Sequence, residues 1–305
     1  MEKQQNIHIQ CSQSLNGVDA HMWDRLVPDG HPFLRYDFLN ALQETGCVDA
    51  KTGWQSNHYL AWQKNDKNLK NELIGAMVCW VKWHPYGEYN FDHLFADAWH
   101  HMGGQYYPKM LAAIPFTPVT GPRLLAIGDD KRRLQIFSKL LQTACDQLLE
   151  QNLSSLHINF CLQREQDFLH QQGFLIRKMH QYHWINNNYQ TFDDFLGELT
   201  SRKRKQILKE RASVKAQAIK HRWFTGSQMD QKKWDQFYQF YASTYDRKWG
   251  VPYLNRDFFT HISQKMGDRI RIVMGYDHEG FISGALNFIS DHVLYGRNWG
   301  CRRQI

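Results

Sequence analysis

Glu72-Leu-Ile-Gly-Ala-Met-Val-Cys-Trp-Val-Lys82 is a run of nine apolar or glycine residues between two charges. It follows a strand-like stretch, His58 to Gln63, and a polar turn, Lys64 to Asn71, so the three pieces read as an antiparallel hairpin. The same grammar returns near the C-terminal end as Arg269-Ile-Arg-Ile-Val-Met-Gly-Tyr276, Asp277-His-Glu-Gly280 and Phe281-Ile-Ser-Gly-Ala-Leu-Asn-Phe288. Leu73-Ile-Gly-Ala-Met77 and Ile282-Ser-Gly-Ala-Leu286 occupy matching places, which predicts an internal repeat of a mixed α/β (α+β) unit.

Around the first hairpin, the pattern predicts a helix from Phe33 to Thr45 closed by Gly46, then, after the hairpin, a strand from Glu88 to Phe95. A stiff turn follows, Pro115-Phe-Thr-Pro-Val-Thr-Gly-Pro-Arg123, holding three of the eight prolines. Fixed proline dihedrals hold Thr117, Thr120 and Arg123 in place, either as a scaffold bend or as a ligand-facing loop. Next come a helix with apolar Leu134, Phe137, Leu141, Ala144 and Leu148, a strand from Ser155 to Phe160, a helix end at Gln166 to Phe174, and a last strand through Trp184. The predicted division is a first unit over 1–190, basic connecting helices over 191–222, and a second unit over 223–305. That second unit opens with Trp234, Phe237, Tyr238, Tyr241 and Tyr245 at helical spacing.

The 305 residues carry 37 Lys and Arg against 30 Asp and Glu, and 42% are hydrophobic. This excludes a mostly disordered chain, and nine apolar residues are about half of what a membrane-spanning helix needs. The start, Met-Glu-Lys-Gln-Gln-Asn, lacks the basic and apolar regions of a secretory signal, so a cytoplasmic location is expected. Six scattered cysteines form no C-x-x-C pair, which suits reduced thiols. His93, Asp97, His100 and His101 have metal-liganding types but no second cluster, so they read as a polar, aromatic-rich loop, and no metal is expected.

The positive charge is local. Between Ser201 and Arg222 stand nine basic residues and one acidic, which leaves the rest of the chain with 28 basic and 29 acidic. Thr191-Phe-Asp-Asp194 has capping-box spacing and opens a short helix. A second helix starts near Ser201, with Ile207, Leu208, Val214, Ala218 and Ile219 as a narrow packing stripe. Its cations read either as a solvated face or as a docking strip for a phosphate-rich ligand such as coenzyme A or tRNA.

Hairpin, strand, helix, strand, a Phe-Leu-x-x-x-Gly-Phe helix end and a last strand follow the order of the GNAT acyltransferase fold. Two such units joined by a basic helix resemble the Fem-type peptidoglycan aminoacyltransferases, and more closely the FemAB-like branch assigned to peptidoglycan biosynthesis or recognition. The residues carrying the resemblance are His31-Pro-Phe-Leu34, Gly87-Glu-Tyr-Asn-Phe-Asp92, Ala96-Asp-Ala98, Tyr106-Tyr-Pro-Lys109, Pro115 to Leu125, Ser201-Arg-Lys-Arg-Lys205, Tyr245-Asp-Arg-Lys-Trp-Gly250 and Tyr295-Gly-Arg-Asn-Trp-Gly-Cys301. Matching Gly75 to Gly284 gives an offset of 209 residues. On that arithmetic the second unit is expected to be C-terminally truncated.

The resemblance implies transfer of an activated acyl group onto an amine of a peptidoglycan precursor or similar anionic acceptor, with no covalent nucleophile and no permanently bound cofactor. The absence of a Gln/Arg-x-x-Gly-x-Gly/Ala loop favours aminoacyl-tRNA over an acyl-CoA as donor. Asp97 is the candidate proton acceptor or amine-orienting carboxylate. Arg204, Arg247, Lys248 and Arg297 are candidate phosphate or carboxylate contacts. Tyr245, Trp249 and Tyr253 are candidates for stacking on a sugar or base. Thr117, Thr120 and Arg123 complete a groove wall. The alternatives are a noncatalytic precursor-recognition module and an RNA-binding protein using the basic helix.

Overall fold

A computed structural model describes residues 7–64, 71–90, 92–247 and 250–302. Lys248 and Trp249, and most of the expected turn at 64–71, lie outside the described residues. The first half contains β1 (Ile7–Ser12), α1 (Ala20–Asp24), α2 (Tyr36–Glu44), β2 (Trp54–Ser56), β3 (His58–Lys64), β4 (Asn71–Met77), β5 (Cys79–Lys82) and α3 (His93–His101). There follow β6 (Lys109–Ala112), β7 (Leu124–Ala126), α4 (Asp130–Glu150), β8 (Leu156–Ile158) and α5 (Gln163–Gln171). The connecting region holds α6 (Phe192–Gly197) and α7 (Ser201–Ala216). The rest holds β9 (Lys220–Thr225), α8 (Gln231–Asp246), α9 (Arg256–Met266), β10 (Ile270–Asp277), β11 (Gly280–Ile289) and β12 (Leu294–Cys301).

The strands form three sheets, ordered β1-β3-β4-β7, β2-β5-β6-β8 and β12-β11-β10-β9. Both predicted hairpins are antiparallel pairs, β3 with β4 and β10 with β11. Side chains alternate across β3 and β4. Leu60, Leu73 and Ala76 face the core that contains α2, while Tyr59, Ala61, Ile74 and Met77 face α4. α4 buries Ile136, Leu140, Leu141 and Ala144, a stripe rotated from the expected one, and it leaves Leu134 exposed. Gly75 permits this close packing, because a Cβ there would lie 2.5 Å from Ile136 Cγ2.

The order β1, α1, α2, β3, β4 recurs as β9, α8, α9, β10, β11, with the same antiparallel pairings. The Gly-Ala match does not coincide with this correspondence, however. Gly75 faces α4, whereas a Cβ on Gly284 would meet Phe237 of α8. A slip by one residue exchanges the faces of a strand, and the register shift beside Ala61 supplies one. The offset of 209 therefore joins glycines on opposite faces.

Five other expectations change. Glu88 to Phe95 is not a strand: Gly87 and Tyr89 have φ of 83° and 56°, and α3 begins at His93. The stretch from His93 to His101 is consequently helical rather than a loop. Phe174 to Trp184 joins no sheet among the described residues. The basic helix ends at Ala216, and Lys220 and Arg222 belong to β9, so the second sheet unit starts inside the expected connector. α7 also buries no side chain, and Leu208 and Val214 are 48% and 46% exposed, so the expected packing stripe is absent. Thr200 caps its N-terminus through Lys203 N.

The two halves share one core. Phe33 lies 4.9 Å from Phe288, and Phe38 lies 5.6 Å from Phe258, centroid to centroid. Among the described residues, no helix is long and apolar enough to cross a membrane.

Candidate active site

β5 ends at Lys82, and the chain then turns through Gly87, which packs so closely on Phe116 that a Cβ would lie 2.6 Å from its ring. The next residues point in different directions. Glu88 and Asp92 converge on Lys109, the first residue of β6, whose Nζ lies 2.8 Å from Glu88 Oε2 and 2.7 Å from Asp92 Oδ2. All three are buried. Asp92 also pairs with Arg177, and His157 Nδ1 stands 3.6 Å from its Oδ2. Lys82 Nζ sits 3.9 Å from the centre of the Trp54 ring and donates to Tyr86 O.

Charged groups removed from water require partners of opposite sign. Burial works to raise Asp92, but the hydrogen bond and charge of Lys109, with His157, outweigh it and hold the carboxyl below its usual range. Glu88 goes the other way, raised by burial that Lys109 only partly offsets. Burial lowers Lys82 to about 7. Burial, followed by Lys109, lowers His157 to about 4, so its imidazole is neutral at physiological pH.

This network lies beside a cavity of about 930 Å³ bounded by α3, β8 and the stretch from Phe174 to His183. The cavity occupies the place where a neighbouring strand would pair with β8, which is an edge strand. The far wall is pinned at two points: Arg177 to Asp92, and Gln181, which donates to Pro118 O at 2.8 Å and accepts from Thr120 Oγ1 at 2.7 Å. Phe95, Trp99, Leu156, Ile158 and Met179 make much of the lining apolar. Tyr106, His157, Asn90 and Asn159 supply polar groups. Asn90 Nδ2 donates to Asn159 Oδ1 at 3.4 Å, while Asn90 Oδ1 and Asn159 Nδ2 have no partner among the described residues. An unpaired buried polar atom costs roughly 1–3 kcal/mol.

A second cluster lies where the halves meet. Arg297 on β12 donates to Phe116 O and lies 3.4 Å from Thr117 Oγ1, among Tyr89, Tyr241 and Tyr245. Burial depresses its guanidinium, and the tyrosines partly restore it. Tyr253 stacks on Phe116 with centroids 5.0 Å apart and meets Tyr245 edge to face.

Four of the expected binding residues, Thr117, Tyr245, Tyr253 and Arg297, thus come together at this seam. Thr120 stands instead at the cavity wall. The other described cations of that set bond to the protein itself. Arg123 is buried and donates to the carbonyls of Val119, Gly121, Pro122 and Asn159, which holds the Pro-rich loop in shape. Arg204 donates to Leu196 O, Gly197 O and Leu199 O, closing the end of α6. Arg247 ties α8 to β12 through Cys301 O at 2.7 Å. Arg123 thus spends all three of its guanidinium nitrogens on backbone carbonyls, whereas the described bonds of Arg204 leave from Nε and Nη2 and those of Arg247 from Nη2. Asp97 is exposed on α3, a helix that buries no residue, whereas Glu88 and Asp92 beside the cavity are buried.

Glu88, Asp92 and Lys109 stand inside the motifs that carry the family resemblance, where residue type alone assigns them no role. The available signal was two carboxylates and a lysine beside strands otherwise rich in apolar residues. His157, a lone histidine in a short strand, carried a weaker one.

A family model described as FemAB-like, peptidoglycan biosynthesis/recognition, matches residues 14–305. The chain is similar in fold to the crystal structure of FemX, with a TM-score of 0.52 and 11% identity over 94% of this chain and 80% of that one. No curated protein matches the sequence.

Proposed function

The chain belongs to the FemAB-like family, and on that premise we propose that it moves an activated acyl or aminoacyl group onto an amine of a peptidoglycan precursor. The observation that carries this reading is a neutral imidazole, His157, lining a large cavity beside the buried Asp92 carboxylate. An amine attacking a carbonyl must lose a proton as the new C–N bond forms. His157 accepts that proton, and Asp92 favours the imidazolium that results. The bond from the carbonyl carbon to the donor oxygen or sulfur then breaks, and the proton leaves with the departing group. The role expected of Asp97 passes in this reading to the pair of His157 and Asp92.

The donor in this proposal is an aminoacyl-tRNA or an acyl-CoA, and the site of action is the cytoplasm. Support for a polyphosphate donor comes from α7, whose cations stand on a helix with no buried face. The recurring order of strand, two helices and hairpin is in keeping with GNAT-type units.

The test is transfer of label from charged tRNA, or from acyl-CoA, to a nucleotide-linked muropeptide precursor by the purified protein. Asp97→Asn is expected to retain transfer, whereas His157→Gln is expected to slow kcat by about 10²-fold. The pH limb assigned to His157 is expected near 4 rather than 6.5. Precursor binding without transfer from either donor would reject the enzyme in favour of a recognition module.

A further inference from the structure

The cavity wall holds an arrangement that proton transfer does not use. Asn90 and Asn159 are more than nine-tenths buried, line the cavity, and bond to each other through one donor and one acceptor. This leaves one acceptor, Asn90 Oδ1, and one donor, Asn159 Nδ2, unpaired among the described residues. Exchanging the nitrogen and oxygen of both amides swaps the two atoms but leaves the same count, one donor and one acceptor. Beside them runs the free edge of β8. Ser155 O accepts from Met110 N, and Asn159 N donates to Ala112 O, so residues 155 and 159 face β6. In a parallel ladder the intervening Leu156 and Ile158 then turn their backbone N–H and C=O outward, and both line the cavity.

We infer that Asn90 and Asn159 are a specificity-determining pair that reads a secondary amide of an extended ligand laid along the β8 edge. A secondary amide offers one N–H and one C=O on opposite sides, which matches the unpaired acceptor and donor and the alternating groups of a strand edge. Esters and hydrocarbon chains lack the N–H and leave the acceptor unpaired. Two ligands in the proposed reaction contain such amides, the peptide of the acceptor and the pantetheine arm of an acyl-CoA. The inference rests on the reading of this cavity as the transfer site.

Binding of N-acetyl-Ala-Glu-Ala-amide and of pantetheine to the whole protein, followed by calorimetry, separates these sources. At least one of them is expected to bind saturably. Replacing its central amide N–H by an ester oxygen is expected to weaken binding about tenfold. The double variant Asn90→Leu with Asn159→Leu is expected to bind amide and ester alike. Equal affinity of the unaltered protein for amide and ester, or binding of neither probe, overturns the inference. The ligand pair needs no variant, so misfolding cannot mask the answer. Amide-dependent binding without acyl transfer would reject the enzyme and keep this inference, and transfer with unchanged KM in the double variant would do the reverse.

Discussion

Lys109 is the residue whose surroundings most constrain its replacement. Its Nζ joins Glu88 and Asp92 where water does not reach, and removal of one partner strands the others. Lys109→Met is expected to cost about 3–5 kcal/mol, read as a lower urea midpoint, and adding Glu88→Gln is expected to recover part of it. A midpoint unchanged in Lys109→Met would show that the carboxylates find other partners. Acid sensitivity follows from two histidines outside this network. Burial holds His58 at about 4, and burial with Arg123 holds His31 at about 4, against 6.5 when unfolded. Between those values the unfolded chain takes up protons that the folded chain refuses. Stability is therefore complete above 6.5 and falls with pH through that window, by about 3 kcal/mol for each histidine. Urea midpoints at pH 7 and 5 are expected to differ, and less so in His58→Gln. None of this could be read from residue type. Arg123 reads as a ligand contact in the sequence, which shows the guanidinium but not the carbonyls that occupy it.

Among the elements, the hairpins were the most legible, since period-two burial and turn residues are local signals. The stretch from Phe174 to Trp184 was not, because its strand-like composition needs a partner edge, and a cavity stands where that edge would be. The Gly-Ala repeat misled for a related reason: a register shift lies in pairing, which composition does not record. Glycine also decides how α8 meets β12. A Cβ on Gly300 would lie 1.9 Å from Phe240 O, a backbone atom that cannot rotate away. Gly300→Ala is expected to destabilise by about 1–3 kcal/mol, measured by thermal melting, while Gly17→Ala meets no atom and is strained only by its φ of 88°. On α7 the opposite holds. Lys205→Gln with Lys209→Gln is expected to leave the melting temperature unchanged, because neither side chain is buried, and to lower the salt dependence of RNA binding by about two phosphate contacts. An unaltered salt slope would remove α7 from the binding surface. The β12-β11-β10-β9 sheet also presents Trp223, Val273, Ala285 and Trp299 in one row across its four strands, with the tryptophans 53% and 62% exposed.

At the scale of the whole molecule, the predicted three-part division meets a continuous aromatic core running from Phe33 and Phe38 to Phe258 and Phe288. Shared burial couples the halves, so calorimetry is expected to show one unfolding transition, with equal calorimetric and van't Hoff enthalpies. Two resolved transitions would restore independent units. Arg297 adds a polar tie across the same seam, from β12 to the Pro-rich loop. The segment from Gly87 to Asp92 touches everything at once. Glu88 and Asp92 hold Lys109, Tyr89 reaches the Arg297 cluster, and Asn90 lines the cavity. Neighbouring residues on one short, sharply turned backbone cannot be displaced separately. A ligand in the cavity and a ligand at the seam would then be thermodynamically linked, and whatever factor the first imposed on the second would be returned in equal measure by the second on the first.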